Sequence, residues 1–158
     1  MAAETAEALA DRYERVAVQL DELFAKTADP IARMATAAAL LHHKMSHFSW
    51  TGFYLLRAGD LVVGPYQGLL ACAVLRPHGA GVCWACAERG EPILVPDVHA
   101  FPGHIACDAA SASEVVVPLR DRGGAVVGVL DVDSERKAAF RAVDVDGLAR
   151  VAAKIYGD

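Results

Sequence analysis

Between Thr5 and Phe24 the apolar residues Leu9, Tyr13, Val16, Leu20 and Leu23 recur at steps of three and four, with Glu7, Asp11, Arg15 and Glu22 between them. That spacing predicts an amphipathic helix. Asp29-Pro30 supplies an N-cap followed by proline at the first helical position. Ile31, Met34, Ala38, Leu41 and Met45 then carry a second apolar stripe, predicting a helix that ends near His47. Beyond it the pattern changes. Trp50 to Arg57 and Leu61 to Tyr66, separated by Ala58-Gly59-Asp60, read as a hairpin, and Ala71 to Leu75 as a third strand. Gly79-Ala80-Gly81 breaks the chain before a short helix over Val82 to Arg89 that Gly90 closes, and Pro92 to Val95 is a fourth strand. Glu114 to Leu119 and Ala125 to Val132 flank the turn Asp121-Arg122-Gly123-Gly124, and Asp144 to Ile155 reads as a closing helix. This order predicts an α+β fold with a mainly antiparallel six-stranded sheet flanked by N-terminal and C-terminal helices. One domain over 1–158 is expected, with N-terminal helices in 1–47, sheet and loops in 48–134, and the C-terminal helix in 135–158.

A chain of 158 residues buries a substantial core without disulfide staples or a structural metal, so its four cysteines are not needed to hold it together. Apolar residues make up 54%, charged residues 22%, and the formal charge is -5. Nothing in that balance attracts a phosphate backbone, and no uninterrupted apolar stretch approaches spanning length, so neither nucleic acid nor membrane is an expected partner. Met1 to Glu7 lacks a basic and apolar leader pattern. The expectation is a cytoplasmic protein whose cysteines are reduced at rest. There, an even count argues for metal binding or redox turnover over structural bridges.

Cys107 stands out among them. It sits in a loop, with Pro96, Asp97, Pro102 and Gly103 before it and Asp108, Ser111 and Ser113 after it, a placement that suits a reacting thiol; the alternative is a small buried hydrophobe. Glu114 opens the fifth strand, and Asp131 and Asp133, two apart, project from one face of the sixth. Acids buried side by side raise at least one pKa and leave a carboxylic acid able to donate a proton at neutral pH; the alternative is a solvated strand end. Trp50, Tyr54 and Tyr66 bracket the pocket side of the first hairpin or serve as core. His42, His43 and His47 fall in the last turns of the second helix, where imidazolium favours the dipole, and 43 and 47 are spaced to share a metal.

These residues assemble into a resemblance. Trp50-Thr51-Gly52-Phe53-Tyr54, Gly64-Pro65-Tyr66-Gln67-Gly68, Ala71-Cys72, Gly81-Val82-Cys83, the run from Val95 to Asp108, Ser113-Glu114 and Leu130-Asp131-Val132-Asp133-Ser134 together resemble the free methionine-(R)-sulfoxide reductases, a family built on the GAF domain. The likeness spans roughly residues 45 to 150. It implies that Cys107 attacks the sulfoxide sulfur, releasing methionine and leaving a sulfenic acid that Cys72 resolves as a disulfide. Cys83, 24 residues before Cys107, matches the family's third cysteine, which can also pair during turnover. Trp50, Tyr54 and Tyr66 would line the substrate pocket, the first two flanking the methyl-sulfoxide group; Glu114, Asp131 and Asp133 would hold the amino group and hydrogen-bond the sulfoxide oxygen. No bound cofactor is implied. The expected partners are free methionine-R-sulfoxide and a thioredoxin-like dithiol reductant fed by NADPH, and a homodimer through the first helix is a further expectation.

The chain departs from the family pattern around the resolving loop. Cys83 is followed by Trp84-Ala85-Cys86, where glycine and small residues are usual, Pro77-His78-Gly79-Ala80 replaces a phenylalanine-glycine-basic run, and Leu69 stands where lysine is common. The departure opens a second reading. Cys83-Trp84-Ala85-Cys86, seventeen residues and His104-Ile105-Ala106-Cys107 have a spacing that suits a tetrahedral zinc site. A third is a GAF module that senses a small ligand or redox state without turnover.

Overall fold

The two faces of a single antiparallel sheet carry different kinds of residue, and that division positions everything else. The computed structural model describes residues 3–77, 81–104, 107 and 109–158. Its elements are α1 (Ala6–Phe24), α2 (Pro30–Lys44), β1 (Trp50–Arg57), β2 (Asp60–Gln67), β3 (Val74–Leu75), α3 (Val82–Arg89), β4 (Ile93–Val95), β5 (Ser113–Arg120), β6 (Val126–Ser134) and α4 (Ala142–Ile155), with a 3-10 turn at Val98–Ala100. The strands lie in the order β3-β2-β1-β6-β5-β4, and each neighbouring pair is antiparallel. This is the α+β arrangement that the apolar pattern predicts.

Side chains alternate across a strand. Phe53 and Leu55 of β1, Val115, Val117 and Leu119 of β5, and Leu130 and Val132 of β6 face α1, α2 and α4, where Leu9, Leu20, Met34, Leu41, Leu148 and Ile155 complete one core. Each fully buried Leu or Val there contributes about 1.5–3 kcal/mol. The intervening residues Trp50, Tyr54, Val116 and Val129 face the other way, toward Val82, Cys83 and Cys86 of α3 and toward Val95 and Val98.

Local signals set the helix ends. Thr5 Oγ1 accepts from the Ala8 N–H at 3.1 Å and Asp29 Oδ1 from that of Ile31 at 2.8 Å, satisfying orphan donors of α1 and α2. Gly90 closes α3 with φ +67°. Two buried polar groups then tie the helices together. Asp144 on α4 accepts from Tyr13 Oη at 2.8 Å, has His47 Nε2 at 2.8 Å from the same oxygen, and accepts from the Arg141 N–H at 2.8 Å. Arg33 on α2, also buried, donates to the carbonyls of Phe24 and Thr27 after α1 and of Lys154, Ile155 and Gly157 at the end of α4. Its planar fork caps two helix C-termini at once.

The structure corrects several boundaries. The second helix ends at Lys44, because Met45 leaves the helical region as its C-cap. His47 therefore lies beyond the helix and turns inward to Asp144 while His43 stays exposed, so the two do not share a metal. The third strand is only Val74–Leu75, since residues 71–73 are drawn over the site described below. The sixth strand runs on to Ser134, which pairs with Ser113. The turn at Val98–Ala100, where Asp97 Oδ1 accepts from the His99 N–H, has no signal in the apolar pattern. His78, Gly79, Ala80, Ile105, Ala106 and Asp108, named in the sequence motifs, lie outside the described residues.

Replacing Arg33 by Met is expected to lower the unfolding free energy by about 3 kcal/mol in urea denaturation, because the bonds from its guanidinium to five carbonyls are lost. Arg33→Lys should recover little of it, since one ammonium cannot reach both helix ends.

Candidate active site

Strand register brings the acids together. Glu114 on β5 pairs with Asp133 on β6, Asp133 in turn with Trp50 on β1, and Asp131 with Gly52. All four side-chain positions project from the face opposite the three large helices. Gly52 is required there. A Cβ would come within 2.3 Å of Tyr66 Cβ and 2.6 Å of the Trp50 ring, so its absence lets Trp50 stack on Tyr66 (centroids 5.2 Å apart) and on Tyr54 (5.9 Å).

Over this face lies a cavity of about 50 Å³ bordered by Trp50, Tyr54, Ala71, Cys83, His104, Cys107, Ser111, Glu114, Asp131 and Asp133, with Leu70, Leu75, Gly81 and Val82 completing the wall. Residues 69–75 form a strap across it. Trp50 Nε1 donates to the Leu69 carbonyl at 3.1 Å, Tyr54 Oη to that of Cys72 at 3.0 Å, and Trp84 Nε1 to that of Leu75 at 2.8 Å. A disulfide joins Cys72 in the strap to Cys107 in the opposite loop, 35 residues on, with the Cα atoms 5.4 Å apart. Cys83 and Cys86 are free thiols, both buried on α3. The chain is thus oxidised at one pair, where the composition predicts four reduced cysteines.

Electrostatics in the cavity are dominated by burial. Glu114 is held well above the ordinary carboxyl range, first by desolvation and then by Asp131 and Asp133. Asp131 is raised to about 6 by desolvation, which hydrogen bonds with Glu114 and Cys83 partly offset. Burial and the same acids push the Cys83 thiol up, and burial takes Cys86 to about 12. The Tyr54 phenol is raised too, by burial and then Asp131. Glu114 therefore holds its proton to higher pH than an ordinary carboxyl does, which is what a proton-donating site needs. Asp133 is less buried and accepts from Ser111 Oγ at 2.7 Å. Asp131 Oδ1 is buried and has no hydrogen-bond partner among the described residues.

Of the nine residues singled out from the sequence, Cys107, Cys83, Trp50, Tyr54, Glu114, Asp131 and Asp133 border this cavity, and Cys72 reaches it through its bond to Cys107. Tyr66 does not border it; it backs the Trp50 ring. The zinc set Cys83, Cys86, His104 and Cys107 does not assemble, because Cys107 is bonded to Cys72 and Cys86 does not border the cavity that the other three share. Ser111 is the polar wall residue the sequence reading missed. Its signal was its place three residues before Glu114, in the segment that re-enters the sheet.

A six-stranded antiparallel sheet with its chemistry on the face away from the main helices defines a class. The chain belongs to the GAF-domain family, whose model matches residues 19–155. Within that family, reductases are among its relatives. It is 43% identical over 125 residues to the free methionine-R-sulfoxide reductase of Escherichia coli, covering 79% of this chain and 74% of that one. It is also 45% identical to the protein YtsP of Bacillus subtilis, covering 89% and 86%. The free methionine-R-sulfoxide reductase of Neisseria meningitidis, solved in complex with its substrate, superposes with a TM-score of 0.87 at 37% identity, covering 99% of this chain and 90% of that one.

The buried acids carry a stability consequence with a definite sign. A carboxyl whose folded pKa is raised costs nothing at low pH, where the unfolded chain is protonated as well. The penalty grows as pH rises through the unfolded value near about 4 and levels off above the folded one. Glu114→Gln is therefore expected to raise Tm by roughly 4 °C at neutral pH and to leave it unchanged below about pH 4; calorimetry at the two pH values checks this.

Proposed function

We propose that this chain reduces free L-methionine-(R)-sulfoxide to methionine through Cys107, with Cys72 as the resolving thiol and a thioredoxin-type dithiol as the electron source. The observation that carries the reading is the Cys72–Cys107 disulfide at the wall of a cavity lined by acids, of which Glu114 and Asp131 are shifted by burial toward their protonated forms. It is the end state such a cycle leaves behind.

Sulfoxide sulfur becomes electrophilic enough for a thiolate only when its oxygen is protonated. Glu114 and Asp131, both retaining protons at higher pH than ordinary carboxyls, supply that proton. The Cys107 thiolate attacks sulfur, the oxygen passes to Cys107 as a sulfenic acid, and methionine leaves with its sulfur reduced by two electrons. The Cys72 thiol then attacks the sulfenic sulfur, forming the disulfide and expelling water, before over-oxidation can follow. Two thiols of the reductant restore the pair by exchange. Trp50 and Tyr54 offer flat apolar walls to the methyl-sulfoxide end, with Tyr66 fixing the Trp50 ring. The three acids meet the substrate ammonium. A peptide-bound sulfoxide has an uncharged amide there and is rejected, since the carboxylates are left unpaired.

Cys107 attacks as a free thiolate, so reduction of Cys72–Cys107 precedes the chemical step in this reading and frees the strap at residues 69–75 from its covalent tether. No helix among the described residues is long and apolar enough to cross a membrane, and a cytoplasmic chain acting as one domain is part of the same proposal.

The test is NADPH consumption coupled through thioredoxin and its reductase, with the free R epimer, the S epimer and the N-acetylated R-sulfoxide compared. Consumption with the free R epimer alone is expected. Turnover of the N-acetylated compound at a similar rate would remove the role of the acids in reading the ammonium. No consumption of any, with a chemical dithiol also failing, would overturn the activity. Cys107→Ser should abolish turnover, whereas Cys72→Ser should release one methionine per chain and then stall; a normal steady state in Cys72→Ser would move resolution to another thiol.

A further inference from the structure

The acid cluster contains a group that reduction does not require. The Cys83 thiol, a carboxylate oxygen of Glu114 and one of Asp131 all lie within 4.8 Å of one another, and the three residues are only 5%, 5% and 6% exposed. Asp131 Oδ1 sits among them without a hydrogen-bond partner from the described residues. A buried carboxylate oxygen left so is desolvated without compensation, which a bound cation would relieve. An ammonium group would satisfy the oxygens and make no use of the sulfur. The thiol makes the difference. One sulfur and two carboxylate oxygens are the donor set of a borderline-soft divalent ion, and the sulfur selects against magnesium and calcium, which take oxygen alone.

We propose that Cys83, Glu114 and Asp131 bind a thiophilic divalent cation of the Zn²⁺ class, and that this ion inhibits the protein in competition with its substrate. Three protein ligands leave a fourth position open toward the cavity, the arrangement of zinc sites that keep a water or exchange a ligand. This donor set differs from the cysteine and histidine spacing of the sequence reading: it uses one cysteine of the C-x2-C pair and takes its other ligands from β5 and β6. Cys86 is not among the donors that lie within 4.8 Å of one another and does not border the cavity. The competition rests on the reading in which Glu114 and Asp131 also hold the substrate's ammonium; the binding does not.

The experiment is a titration of the oxidised, chelator-treated protein with Co²⁺ alone, with no sulfoxide present, followed by absorption. With Cys72 and Cys107 joined, the free thiols are Cys83 and Cys86. One equivalent of Co²⁺ is expected to bring up a thiolate-to-cobalt charge-transfer band that Zn²⁺ displaces. Cys83→Ser should remove the band, Cys86→Ser should retain it, and Asp131→Asn should weaken binding by at least about tenfold. Absence of the band, or its survival in Cys83→Ser, would overturn the site, and neither outcome depends on turnover. Zn²⁺ should then raise the apparent KM for the sulfoxide without changing kcat, and a fall in kcat at constant KM would overturn the competition.

Discussion

The pairing of β5 with β6 is the constraint on which the site and the fold both depend. It sets Glu114 opposite Asp133 and Asp131 one pleat further in, three acids on a face largely closed to water. Nothing in the acids themselves favours this, since buried like charges oppose one another. What enforces it is the other face. Val115, Val117 and Leu119 alternate with the acid-bearing face of β5, and Leu130 and Val132 with that of β6, all packed against helices. A register slip of one residue would turn these apolar side chains toward the cavity and the acids toward α1 and α4. The helix-side core therefore holds the acids in place, and the protein tolerates the cost because that core is well filled and because Arg33 and Asp144 fasten the helices to one another.

The cavity face is held differently, by a few directed bonds to a segment with little secondary structure of its own. Trp50, Tyr54 and Trp84 each donate to a backbone carbonyl in residues 69–75, and β3 contributes only two residues of ladder. Such a strap has low local stability compared with the sheet. The disulfide adds a covalent tether at its middle. Two of the three aromatic donors also form the cavity wall, so a change at the disulfide is communicated to the wall through Tyr54, whose hydroxyl bonds the carbonyl of Cys72 itself.

Much of this was legible in the sequence because it follows from period. The alternation in Val129-Leu130-Asp131-Val132-Asp133 places two acids on one face whatever the surrounding fold, and Asp29-Pro30 and Gly90 mark helix ends by their own backbone preferences. What period cannot register is a side chain that satisfies a distant group. The stripe to Met45 predicts a helix that ends near His47, but His47 lies beyond the helix, held by Asp144 nearly a hundred residues away in the chain. Ala71 and Cys72 have strand-forming neighbours and yet leave the sheet, since Cys72 is bonded across the cavity, while Ala73 still accepts from the Val63 N–H of β2. Asp131 could be placed on a face from sequence; that one of its oxygens lacks a partner could not.

The departures around Cys83 also resolve into distinct physical roles. Trp84 adds bulk where the family has glycine, and its ring nitrogen bonds the Leu75 carbonyl, so the substitution brings with it an anchor for the far end of the strap. Cys86 adds a thiol, but it is fully buried and its pKa is pushed up to about 12. The nucleophile in disulfide exchange is the thiolate, and at neutral pH a thiol so shifted is ionised in roughly one molecule in 10⁵. Cys86 is thus a packing residue despite its C-x2-C spacing. Cys83 is raised for the further reason that Asp131 and Glu114 surround it, while Cys72 lies half-buried in the strap and is already joined to Cys107. Burial among these acids keeps the Cys83 thiol protonated. In the proposed cycle, exchange at Cys107 is consequently directed to the thiol outside the acid cluster.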